Sequence, residues 1–178
     1  MMNKINFLPL MAAFVLTLLA SCSKKDNSPK PEDWLTAERW YAYRAGVAVS
    51  IAGVPVDSLG EDTTLDSIAL DFKKDYTAQL LELTPQGTWE VTSQGTWTLS
   101  ADAKTLEIKN VSFLSPGIDS LLQAFNIDVP QTYQVRKLTA DELELYTDID
   151  TSVPLAGFPI PVPVGIQLTT YFNHEEQP

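Results

Sequence analysis

From Thr88 to Ser100 the chain alternates: Trp89, Val91, Gly95, Trp97 and Leu99 share one parity, while Thr88, Glu90, Thr92, Gln94, Thr96 and Thr98 fill the other. Successive side chains of a β-strand point to opposite faces, so a period of two over this length predicts a sheet with one buried and one wet face. The parity survives across Ser93-Gln94-Gly95. A two-residue hairpin would invert it, so the segment is either one long strand or a hairpin with an odd-numbered loop.

The same signature recurs along the chain. Tyr41, Tyr43, Ala45, Val47, Val49 and Ile51 predict a long first strand bent at Gly46, and Gly53 to Asp66 reads as an acidic loop carrying Asp57, Glu61, Asp62 and Asp66. Strands are expected at 67–72 and 76–83, reversed by Lys73-Lys74-Asp75, with Pro85-Gln86-Gly87 as the next turn. Thr105 to Phe113 predicts one or two strands, and 132–138 and 142–148 two more, joined by Thr139-Ala140-Asp141. One helix interrupts the pattern: Ser115 and Pro116 supply an N-cap and a first-turn proline before Ile118, Leu121, Leu122 and Phe125 at i, i+3, i+4 and i+7. Pro159, Pro161 and Pro163 share a parity, which removes backbone donors from one side only, while Ile160, Val162, Val164, Ile166, Leu168 and Phe172 continue the apolar face. That places an edge or a seam where the sheet enters a last strand at 164–172. Some eight antiparallel strands in just under 150 residues make a barrel or a sandwich.

Residues 1–21 have the parts of a secretory leader: a short n-region with Lys4, an apolar run from about Phe7 to Ala20, and small residues before the cut. The run is shorter than the roughly 20 apolar residues a spanning helix needs. Leu19-Ala20-Ser21-Cys22 resembles a bacterial lipoprotein processing site, and Cys22 is the chain's one cysteine. The resemblance implies cleavage before Cys22 and acylation there, which anchors the protein in the envelope of a Gram-negative bacterium, with Ser23 favouring the outer membrane. Residues 22–33 read as the lipidated cysteine and a polar, proline-containing linker, and 34–178 as the folded domain. The chain has twelve Lys and Arg against 23 Asp and Glu, and loss of Lys4 leaves eleven against 23, a charge of −12. Such a chain is repelled by phosphate backbones, so nucleic acid is not an expected partner.

Three stretches resemble the lipocalin-like domain of small bacterial envelope lipoproteins. They are Trp40 near the domain start, Gly95-Thr96-Trp97-Thr98-Leu99-Ser100 with Lys104-Thr105-Leu106-Glu107-Ile108 after it, and Tyr133 to Leu145. The resemblance implies a mainly β fold, an antiparallel up-and-down eight-stranded barrel with one short helix, whose calyx takes a small hydrophobic or amphipathic ligand. The helix 116–125 departs from the family pattern and reads as a plug or a lid.

Little in the chain points to catalysis. His174 is the one histidine and sits in a tail expected to be frayed, so no Ser-His-Asp or Cys-His pair and no ordinary zinc set can be assembled. The acidic loop lacks the spacing of a calcium-wrapping loop, and Asp148 and Asp150 read as solvated. No cofactor or metal site is expected. The ring-bearing residues Phe72, Tyr76, Trp89, Trp97, Tyr133 and Tyr171 remain as ligand-binding candidates, with plain core as the competing reading. A filled barrel serving as an inhibitor or a subunit of a surface complex is the alternative function.

Overall fold

The structure, a computed structural model, describes residues 28–56, 62–114, 116–124, 126–154 and 160–176. The leader, Cys22, Asp57, Glu61, Ser115, Phe125 and Pro159 lie outside the described residues. Among the described residues the alternating segments form β1 (Trp40–Ile51), β2 (Val54–Pro55), β3 (Asp62–Thr64), β4 (Ile68–Phe72) and β5 (Thr77–Leu83). There follow β6 (Trp89–Leu99), β7 (Thr105–Lys109), β8 (Thr132–Leu138), β9 (Glu142–Val153) and β10 (Val162–Asn173). From β4 onward each strand pairs with the next, and β1 pairs with both β4 and β10. The result is a closed antiparallel up-and-down barrel of eight strands, with β2 and β3 lying along β1. The Thr88–Ser100 segment is one long strand, and the barrel, not the sandwich, is the architecture.

β10 is the seam. It pairs along its length with β9, from Val162↔Val153 to Asn173↔Glu142, and with β1, from Val164↔Ile51 to Tyr41↔Asn173. Pro163 is tolerated because its backbone edge faces β1 at the very end of that ladder, where its carbonyl accepts the Ala52 N–H at 2.8 Å. The donor it lacks would have faced β1 beyond the last Cα pair, so the β9 ladder loses nothing.

Three bulges set which side chains enter the barrel. In β1 the register shifts between Ala42 and Arg44, leaving Tyr43 without a partner; Trp40 and Ala42 point inward before it, Ala45 and Val49 after it. In β6 Thr92 is the extra residue, so Ser93, Gly95 and Trp97 face inward, while Val91 and Trp89 share a face with Leu81 and Leu83. In β8 the extra residue is Arg136. A bulge adds one residue to one strand and inverts its parity from there on. Tyr41, Tyr43, Trp89 and Val91, which continue the apolar parity in the sequence, therefore sit on the outer wall.

The two barrel ends differ. The base carries the turns 73–76, 100–104 and 139–141 and a short helix, α1 (Pro31–Leu35), which takes up the last residues of the linker segment. Pro31 starts α1, and the Asp33 carboxylate accepts the Lys30 N–H at 2.9 Å. Leu35 is fully buried under the barrel. The mouth carries the described residues 52–56, 84–88, 110–114, 126–131, 154, 160 and 161 and a second helix, α2 (Pro116–Ala124), while 62–67 run back along β1. β7 ends earlier than the alternation through Phe113 implies. Asn110 adopts φ 62°, and Val111, Phe113 and Leu114 then turn into the core. Gly95 makes room for that entry: a Cβ there would stand 1.8 Å from the Lys109 carbonyl oxygen.

Candidate functional site

The inward side chains of the described strands form one apolar cluster. Trp40, Phe72, Trp97, Phe113, Tyr133 and Phe172 supply its rings. Phe113 lies 4.9 Å from the Tyr133 ring and 5.6 Å from Phe172, so the 110–131 connection reaches deep into the barrel. Ile118 and Leu122 of α2 belong to the same cluster, which makes α2 a plug.

The six ring-bearing candidates separate into three settings. Phe72, Trp97 and Tyr133 are core, each no more than 2% exposed. The Trp97 indole donates to the Lys73 carbonyl at 3.0 Å and meets Phe72 edge-on at 5.8 Å. The Tyr133 hydroxyl donates to the Pro130 carbonyl at 2.7 Å. Tyr76 lies at the base turn, 53% exposed with φ 66°, its ring 5.3 Å from Trp97. With Trp97 it lines a cleft of about 180 Å³ against Glu32, Asp33 and Thr36 of the α1 segment. Trp89 and Tyr171 are on the outer wall. Trp89 packs edge-on against Tyr41 at 5.2 Å and donates to the Glu176 carboxylate at 2.7 Å, and the Arg44 guanidinium lies 4.0 Å above the Tyr171 ring. The rings therefore do not enclose a common space.

What the mouth offers instead is aliphatic. Val47 and Ile51 on β1 pair with Leu168 and Val164, and Ile149 on β9 pairs with Ile166; Val164, Ile166 and Leu168 are buried, so all three face inward. They are nonetheless only half-buried. An inward side chain keeps solvent contact only where the interior is reachable, so these aliphatic groups on the β1–β10–β9 side pack on the core and keep part of their surface in water. The parity of β1 carried Val47 and Ile51 in the sequence, but the preference for rings passed them over, and Ile149 lies one residue beyond the strand expected at 142–148.

Ionisable groups are sparse within. Asp119 on α2 is half-buried, and burial raises its carboxyl above the ordinary value despite a weak contact with the Ser112 hydroxyl at 3.5 Å. Burial, with the Asp119 charge adding to it, holds the Tyr133 phenol far above its usual range. Two outer troughs, about 470 and 280 Å³, meet over Gly165 between Ser50 and Asp150, with Asp148 lining the second. Among the described residues no three His, Cys, Asp or Glu side chains are grouped to hold a metal. His174 is not frayed: its Nδ1 lies 2.8 Å from the Arg39 carbonyl and its ring 4.0 Å from Trp40.

No family model matches the chain. No curated protein matches it either. Among solved structures it is similar to a lipocalin-like protein from Bacteroides uniformis ATCC 8492, at 16% identity over 79% of this chain and 99% of that one, with a TM-score of 0.43.

Proposed function

We propose that the protein is a non-enzymatic, lipid-anchored lipoprotein of the Gram-negative envelope, held in the outer membrane through acylated Cys22. In this reading its barrel takes a small apolar or amphipathic molecule at the mouth. The observation that carries the binding role is the half-buried state of the inward aliphatics Val47, Ile51 and Ile149 on the β1–β10–β9 side of the barrel. Such a surface is stabilised by any apolar occupant, at about 25 cal/mol per Å² removed from water. Titration with a fluorescent fatty acid should show saturable binding, reduced at least tenfold in Ile51→Asp and Ile149→Asp. Palmitate labelling that disappears in Cys22→Ala, together with loss of membrane association, tests the anchor.

A second reading rests on the plug itself. With Phe113, Ile118 and Leu122 in the core, the barrel would be a filled scaffold that presents its loops to a protein partner as an inhibitor or a complex subunit. Absence of any response to fatty acid, haem or sterol would select it.

A further inference from the structure

We infer that the barrel stands on its base, with the mouth turned away from the membrane that holds it, so that whatever the mouth takes arrives from the side opposite the anchoring leaflet. The inference rests on the lipid anchor at Cys22 proposed above.

The place where the tether meets the barrel carries it. α1 starts at Pro31 and packs at the base, where the Leu35 carbonyl accepts the Trp40 indole N–H and Glu32, Asp33 and Thr36 face Lys74 and Tyr76 of a base turn. Nine residue steps separate Cys22 from Pro31, and a fully extended chain covers about 3.3–3.6 Å per residue, or about 30 Å in all. The longest strands have twelve residues; at about 3.3 Å per residue and a tilt of about 40° they stand about 30 Å high. To bring the mouth to the bilayer, the tether would have to run the full height of the wall. It would then have to cross a headgroup layer of about 5–7 Å as well. It is too short to do both.

The test uses the processed, full-length lipoprotein in vesicles carrying a headgroup energy-transfer acceptor. With Cys22 acylated, a cysteine introduced at exposed Ala140 in a base turn or at exposed Ile160 before the mouth end of β10 is the single free thiol for a donor dye. Transfer should be at least twofold more efficient from Ala140→Cys than from Ile160→Cys. Equal transfer from the two sites, or stronger transfer from Ile160→Cys, overturns the orientation while leaving the anchor intact. No transfer from either, in a protein that does not float with the vesicles, overturns the anchor and the orientation with it.

Discussion

The indole nitrogen of Trp40 donates to the Leu35 carbonyl at 3.0 Å, with both side chains fully buried. That bond fastens α1 across the base and satisfies a carbonyl at the end of a helix too short to stand alone. Trp40→Phe strands the carbonyl and shrinks the side chain, so it should cost about 1–3 kcal/mol. Urea unfolding would measure the loss, and limited proteolysis should show faster cleavage around residues 36–39.

Gly95 has no tolerance for a side chain. A Cβ there would overlap the Lys109 carbonyl and press on Val111. Gly95→Ala should therefore cost about 2–3 kcal/mol by forcing β6 and β7 apart, read as a lowered urea midpoint. Gly87→Ala is a useful contrast: it meets nothing within 4 Å and is strained only by its φ of 78°.

Trp89 and Trp97 share one parity in the sequence and lie on opposite sides of the wall. Trp97→Phe should cost about 2 kcal/mol or more through lost core contacts and the unpaired Lys73 carbonyl. Trp89→Phe should stay within about 0.5–1 kcal/mol and leave fatty-acid binding unchanged. Equal destabilisation by the two would contradict the bulge at Thr92.

Asp119 gives the plug a pH dependence. Its folded pKa is raised by burial, so the stability it contributes is fully present below the unfolded value near 4 and is lost as pH rises through the folded value. Once ionised, the half-buried carboxylate opposes the fold. Asp119→Asn should raise Tm at pH 7 by about 1–2 °C and give no gain at pH 3, as followed by thermal melts across that range.

Tyr133 acts at the other extreme. Its folded phenol keeps its proton well beyond the value of about 10 at which the unfolded chain releases it. Stability from this group is complete below pH 10 and is lost as pH rises above it. Tyr133→Phe should cost about 1 kcal/mol at pH 7, from the bond to Pro130, and should flatten the alkaline fall in stability.

Much of the fold was legible because alternation is local. The strand at 89–99, the turns after Phe72 and Leu138, and the helix beginning at Pro116 each follow from residues within one element. α1 left a fainter trace: Pro31 followed by Glu32 and Asp33 is a helix-start signature, but five residues show no period. The binding candidates were harder. Tyr41, Tyr43, Trp89 and Val91 are as apolar as the residues that enter the core, and nothing in one strand records where a neighbour forces an extra residue.

By itself the sequence determined the strand periodicity, the closing strand marked by its prolines and the acidic surface, since each depends on neighbours along the chain. Only the tertiary structure decided which rings are core and which are wall, that Val111 to Leu114 turn inward, and that the reachable apolar surface is aliphatic. Those outcomes depend on register between strands far apart in the chain. A one-residue bulge in β1 or β6 moves every side chain beyond it to the other face without changing the alternation that a sequence displays.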